Sequence, residues 1–255
     1  MEIEVIGSAQ DAGIPWPGCS CRQCQKGISR KAPAILVHDK NRRILVDCPP
    51  DIIKSINLWE INAIILTHAH IGHYGGLFFL GREAYNTHRL PVYCSEKMKK
   101  WMVKGNKAYN HLVRRKNIIP IPFIPGELFN IANLKFNPIR VNHRDEDADT
   151  IGISINNGKN KFFYMPDLDF WTNRTINEVR DSDIAMIDGT FYSGKAHLSH
   201  PPILESMELF KNSNTEIYFT HLNHSNRVAD PGSREYREVK RKGFYVAEDG
   251  MVLNF

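Results

Sequence analysis

The stretch Ile64-Ile65-Leu66-Thr67-His68-Ala69-His70-Ile71-Gly72-His73 constrains this chain more than any other. An apolar strand runs directly into a loop holding histidines at i, i+2 and i+5. Neutral imidazole is the commonest metal ligand, and three on one short turn can converge on a small volume. Histidines scattered by chance on a surface loop are the competing explanation, and the metal reading is preferred. Further candidates follow strands elsewhere: His143 closes Leu134–Val141, Asp167 follows Lys161–Met165, and His221 follows Glu216–Phe219 and Thr220. Taken singly, none of these marks a site. Together, five histidines and an aspartate placed just after strands form a constellation, because a rigid sheet fixes ligand geometry.

The rest of the chain supports such a scaffold. Short runs rich in Ile, Val and Leu predict strands at Ile3–Ile6, Ala34–Val37, Ile44–Val46, Ala63–Leu66 and Pro91–Cys94. The second half adds Leu134–Val141, Ile151–Ile155, Lys161–Met165, Ile184–Ile187, Glu216–Phe219, Phe244–Val246 and Met251–Leu253. Helices are expected at Asp51–Ile56, at Tyr74–Glu83, in the basic run after Cys94, at Asn173–Val179 capped by Thr172, and at Ile203–Phe210 behind Pro201 and Pro202. No repeat or linker interrupts the pattern, so residues 1–255 read as one domain. Many strands with interspersed helices suggest two packed sheets flanked by helices.

With 42% apolar and 24% charged residues, neither disorder nor a fibre is plausible. No run approaches the ~20 apolar residues of a membrane span. The first residues lack the basic and apolar regions of a signal peptide, which leads to the expectation of a cytoplasmic protein. The net charge of +5 is well short of a dedicated nucleic-acid binder. With no inserted arm to grip a long polymer, nucleic acid is not the expected partner. Basic residues concentrate between Lys97 and Lys116. A solvated helix face is the preferred reading of that run; an edge attracting an anionic substrate such as a phosphate ester is the sharper one.

Three of the five cysteines, Cys19, Cys21 and Cys24, fall within six residues. An odd number so crowded is a poor disulfide framework and reads better as metal ligands. Three thiolates are one short of a closed zinc site. Cys48 and Cys94, alone at strand ends, read as small buried hydrophobes.

Taken together, these residues resemble the metallo-β-lactamase fold superfamily of metallohydrolases, whose loop motif reads T-H-x-H-x-D-H. The branch most similar contains the pyrroloquinoline-quinone biosynthesis protein B and the phosphonate-pathway cyclic phosphodiesterase. The resemblance rests on Gly7-Ser8-Ala9, the cysteine cluster, Leu45-Val46-Asp47, the Thr67–His73 loop, His143, Asp167, His200 and Thr220-His221. It implies a four-layer αββα sandwich of two mixed β-sheets. It implies that His68, His70 and His143 bind a first metal, and His73 and His221 a second, with Asp167 bridging. By the same resemblance Asp47 orients a ligand histidine, and His224 completes a Cys3His structural zinc with the cysteines. His200 is the implied proton donor to the leaving group, with His197 the second choice.

One departure matters. Gly72 stands where the family carries an aspartate ligand, which leaves the second metal three protein donors and leads to the expectation of one firm ion and one weak or absent. Asp11, in the Gly7–Gly13 loop, is a candidate replacement. The implied chemistry is hydrolysis of a small, anionic ester or phosphodiester by a metal-bound hydroxide, with one or two ions of zinc, manganese or iron. Two alternatives stand beside it: a metal-dependent oxygenase or hydroxylase like the quinone-biosynthesis protein, and a catalytically degenerate, zinc-stabilised binding protein. Neither oligomeric state nor substrate follows from the residues.

Overall fold

A computed structural model describes residues 1–144, 146, 148–194 and 199–254. The strands are β1 (Glu2–Gly7), β2 (Ala34–Asp39), β3 (Arg42–Val46), β4 (Ala63–Ile65), β5 (Leu90–Ser95), β6 (Ile118–Phe123) and β7 (Phe129–Ile131). They continue with β8 (Leu134–Arg140), β9 (Ile151–Asn156), β10 (Lys161–Met165), β11 (Ile184–Asp188), β12 (Glu216–Thr220), β13 (Tyr245–Val246) and β14 (Val252–Asn254). One sheet has the order β14-β1-β2-β3-β4-β5-β6 and the other β13-β12-β11-β10-β9-β8-β7. Both are mixed. In the first, β14 through β3 pair antiparallel and β3 through β6 parallel. In the second, β7 through β10 pair antiparallel and β10 through β13 parallel.

The period-2 alternation of the strands divides the buried residues into layers. Ile35, Val37, Ile44, Val46 and Ile65 point from the first sheet into a shared core with Phe136, Ile153, Ile155, Phe162 and Tyr164 of the second. Their sequence neighbours Leu36, Leu45 and Ile64 face the other way, onto Met98, Met102, Tyr109 and Leu112. Phe163, Met165, Ala185 and Ile187 likewise turn outward, onto Val179, Ile203, Met207, Phe210 and Val239. The result is helix, sheet, sheet, helix: the expected αββα sandwich.

The helices are α1 (Arg22–Gln25), α2 (Ile71–Tyr74), α3 (Glu96–Lys100), α4 (Lys107–Arg114), α5 (Asn173–Arg180), α6 (Ile203–Phe210) and α7 (Arg234–Arg241). None among the described residues is long and apolar enough to cross a membrane. At α5, Thr172 caps the first turn through a reciprocal box with Thr175. Three helix expectations need correction. Tyr74–Glu83 is not an α-helix: α2 ends at Tyr74 and a 3-10 stretch, Gly75–Leu80, follows. A side chain at Gly76 would sit 2.3 Å from the Pro49 carbonyl oxygen, so this turn is pressed against the Cys48–Pro50 segment. Asp51–Ile56 shortens to a 3-10 turn at Ile52–Lys54. The basic run is two helices, joined by a π-type turn at Trp101–Gly105 and restarted by Asn106, whose side chain accepts from the amides of Ala108 and Tyr109. Its cations Lys97, Lys100, Lys104, Lys107, Arg114, Arg115 and Lys116 are exposed, as a solvated face should be.

Phe136 is fully buried between the sheets and stacks on Phe129 at 5.5 Å between ring centroids. Phe136→Ala should lower unfolding free energy by roughly 3–5 kcal/mol in urea titrations. A loss below about 1 kcal/mol would contradict a close-packed layer there.

Candidate metal centre

The donors converge because parallel strands end at a common edge. β3 delivers Asp47, β4 delivers Thr67 and His68, β10 delivers Asp167, β11 delivers Asp188 and Thr190, and β12 delivers His221. Asp47, His200 and His221 have left-handed backbones, with φ of 64°, 66° and 58°. Such conformations are costly for side-chain-bearing residues and cluster at functional sites. Here they bring His200 and His221 beside Asp167 and set the Asp47 carboxylate against His73 Nδ1.

Asp167 is the centre of the arrangement. Its Oδ1 lies 3.4 Å from His143 Nε2 and 3.3 Å from His221 Nε2. Its Oδ2 lies 3.3 Å from His73 Nε2 and 3.9 Å from His68 Nε2. Donor atoms of His68, His70, His143 and Asp167 all fall within 4.8 Å of one another, as do those of Asp11, His73 and His221. The structure thus brings together every catalytic-site ligand expected from the sequence. His197 lies outside the described residues.

The outer hydrogen bonds explain why the ring nitrogens face inward. His73 Nδ1 donates to Asp47 Oδ2 at 2.8 Å and His143 Nδ1 to Asp169 Oδ1 at 2.9 Å. Thr67 gives its hydroxyl proton to Asp47 at 2.9 Å, which leaves its oxygen to accept from His68 Nδ1 at 3.0 Å. Thr190 donates to the His221 carbonyl and accepts from His221 Nδ1 at 2.9 Å. Each contact fixes a tautomer with its lone pair on Nε2. The Nε2 atoms of His68, His73, His143 and His221, together with Asp167 Oδ2 and Asp11 Oδ1, are buried with no hydrogen-bond partner. Buried polar atoms are rarely left so, and six in two adjoining donor clusters fit cations.

Electrostatics agree. Burial lowers the pKa of His68, His70 and His221, keeping their lone pairs free. Burial acts in the same sense at His73, but Asp47 and Asp167 outweigh it and raise the group. Burial would raise Asp167, yet His221, His68 and His73 hold it well below the carboxylate range and anionic. Three orienting residues, Asp169, Asp188 and Thr190, escaped the sequence reading. Asp188 and Asp169 carried a usable signal, the first at the end of a buried strand and the second two residues beyond Asp167.

The cysteine cluster forms a second, separate centre. Sγ of Cys19, Cys21 and Cys24 lies 3.5, 3.6 and 3.6 Å from His224 Nδ1. A tetrahedral zinc with bonds of about 2.3 Å to sulfur and 2.0 Å to nitrogen has S···N edges of about 3.5 Å. Hydrogen bonding from the Cys24 amide, then from His224, lowers the Cys21 thiol to about 6, which favours the thiolate a metal takes. Cys48 and Cys94 are buried and belong to neither donor cluster, although the Cys48 amide donates to the His73 carbonyl at 2.7 Å, and burial raises both thiols.

A cavity of about 300 Å³ opens over the histidine site, lined by Gln10, His70, His143, Arg144, Asp167 and His200 among others. Arg144, exposed at its wall, is the cation placed to meet an anionic ligand. The basic run lines neither this cavity nor its apolar neighbour of about 450 Å³ beside Trp16, Pro17 and Ile71.

The chain is similar to known proteins in sequence and in fold. The family model described as the beta-lactamase superfamily domain matches residues 42–222. Coenzyme PQQ synthesis protein B of Methylococcus capsulatus is 27% identical, with 99% of each chain covered. An octanoyltransferase of Porphyromonas gingivalis is 25% identical over 98% of this chain, which spans 51% of that protein. In fold, the chain is similar to zinc-bound PqqB from Methylobacterium extorquens, with TM-score 0.86, 21% identity and full coverage of both chains. A diphosphatase of the PhnP family gives TM-score 0.79 and 23% identity, covering 100% of this chain and 96% of that one.

Cys21→Ser should cost one equivalent of zinc by elemental analysis and speed amide exchange across residues 8–24. Unchanged zinc content would rule out a four-donor site at the cysteines.

Proposed function

The chain belongs to the beta-lactamase superfamily, and on that premise we propose that it is a metal-dependent hydrolase of a small, anionic ester or phosphodiester. The observation that carries this reading is the set of unpartnered imidazole and carboxylate atoms lying beneath an open cavity. A divalent cation held there supplies hydroxide at neutral pH and polarises a carbonyl or phosphoryl oxygen. His68, His70, His143 and Asp167 are the residues to hold one ion. His73 and His221, sharing Asp167, are donors for another.

The remaining work falls to other side chains. Asp47, Thr67, Asp169 and Thr190 keep the ligand rings in place, so the donors need no rearrangement as charge develops. Arg144 meets the negative charge of the substrate. His200 supplies the leaving-group proton. Its Nδ1 donates to Asp188 Oδ2 at 2.6 Å, and Asp188 in turn accepts from the amides of Leu168 and Thr190. Burial opposes charge on His200, but Asp188 prevails and the pKa rises to about 9. A dication held at Asp167 would oppose that rise, in the direction that favours proton donation near neutral pH.

A second reading, a metal-dependent oxygenase or hydroxylase in coenzyme synthesis, is favoured by the whole-length relatives named for PQQ synthesis. The metal separates the two. Activity with zinc or manganese supports hydrolysis, whereas iron that consumes oxygen supports the second.

Chelation should abolish turnover of activated phosphodiesters, lactones or thioesters, and readded zinc or manganese should restore it. Silence with every substrate and metal would favour a zinc-stabilised binding protein. His200→Ala should slow substrates with alkoxide leaving groups by about 10²–10⁴-fold while sparing 4-nitrophenolate esters. Equal losses on both would remove His200 from proton donation.

A further inference from the structure

Gly72 sits in α2 with ordinary helical backbone, so no unusual φ requires glycine there. Space does. A Cβ added to Gly72 would lie 2.4 Å from Asp11 Cα, 2.6 Å from Asp11 Oδ1 and 2.7 Å from Asp11 Cβ. The backbone and carboxylate of Asp11 occupy the volume into which a side chain at position 72 would project. The two positions exclude one another: with Asp11 in place, only glycine fits at 72.

What Asp11 does in that volume is equally specific. Its Oδ1 stands 3.5 Å from His73 Nε2, and Asp11, His73 and His221 donor atoms lie within 4.8 Å of each other. Asp11 Oδ1, His73 Nε2 and His221 Nε2 are all buried without a hydrogen-bond partner. With Asp167 Oδ2 at 3.3 Å from the same His73 nitrogen, the set holds four donors and two negative charges. The expectation of a weak second ion counted three.

The loop bearing Asp11 is held against the segment bearing His221. Gln10 N donates to Leu222 O and Leu222 N to Ser8 O, each at 2.9 Å, and the Asn223 side-chain Nδ2 donates to Gln10 Oε1 at 2.6 Å. These bonds lie between His221 and His224, and the same N-terminal segment carries Cys19, Cys21 and Cys24. The two metal centres therefore share two stretches of chain, residues 8–24 and 221–224.

We propose that Asp11 is the carboxylate ligand of a second ion at the histidine site, delivered from the N-terminal loop into the space that Gly72 leaves open. Zinc at Cys19, Cys21, Cys24 and His224 fixes the same loop and so sets the affinity of that second site. The inference rests on the histidine cluster's being a metal centre, and its test does not depend on turnover.

The test is metal stoichiometry of the purified full chain, with elemental analysis and cobalt substitution. Thiolate-to-cobalt absorption reports the cysteine centre separately and serves as the folding control. Wild type saturated with zinc should hold three ions. Asp11→Ala and the shape-preserving Asp11→Asn should each hold two, with the thiolate signal intact. Gly72→Ala, which removes no donor atom, should also lose the third ion by displacing Asp11. Cys21→Ser should weaken the third ion about 10- to 100-fold, as loss of an orienting partner does. Retention of three ions with unchanged affinity in both Asp11 variants would overturn the assignment. So would a wild type that binds one histidine-site ion at saturation. A wild type with no ion beyond the cysteine zinc would sink the hydrolase reading as well, so the two failures are distinguishable.

Discussion

A carboxylate buried among imidazoles organises this molecule. Asp167 is 2% exposed, and four ring nitrogens from three separate stretches of chain point at its two oxygens. An isolated carboxylate in such a place costs several kcal/mol of lost hydration. Hydrogen bonds from the ring Nε2 atoms do not offset that cost, since Thr67, Asp47, Asp169 and Thr190 have already claimed the Nδ1 protons of those rings. At His68 and His221, which burial keeps neutral, the arrangement sets lone pairs against lone pairs, and at His73 the surrounding carboxylates call for positive charge. A cation resolves the conflict, and so the outer shell commits the inner one to binding metal.

The sandwich makes that convergence affordable to the backbone. Each contributing strand is locked on both faces, by the other sheet and by a helix layer, so the strand ends are fixed before the loops begin. Ligands one to three residues beyond a strand, such as His68, Asp167 and His221, inherit that rigidity. His143, three residues beyond β8, and His200, twelve beyond β11, are held in addition by carboxylate partners, Asp169 and Asp188. Asp188 is itself held by two backbone amides.

The legibility of the sequence follows the same division. Buried strands of Ile, Val and Leu were readable because both faces are covered, and the strand-end histidines because their chemistry is rare. β6 was missed because Pro120 and Pro122 break a ladder; it is an edge strand, where missing amides go unneeded on the open side. α7 was missed because REYREVKR shows no apolar stripe; of its residues only Val239 is buried. Asp169 and Asp188 carried only the signal of their places after strands, and Thr190 carried none, because their partners His143, His200 and His221 lie across the fold. Gly72 was legible as a vacancy. Asp11 was legible as a candidate to fill it; that its carboxylate occupies the space a side chain at position 72 would take needed coordinates.

Charge closes the argument. The chain carries a net +5, yet Asp11, Asp47, Asp167, Asp169 and Asp188 make the surroundings of the histidines acidic, and the exposed basic run lies elsewhere. Against that background Arg144 alone is a weak lure for an anion. The sign of the cavity is therefore set by what the donors hold. A dication held by these donors would offset two of the five carboxylate charges and so turn the local field toward anions.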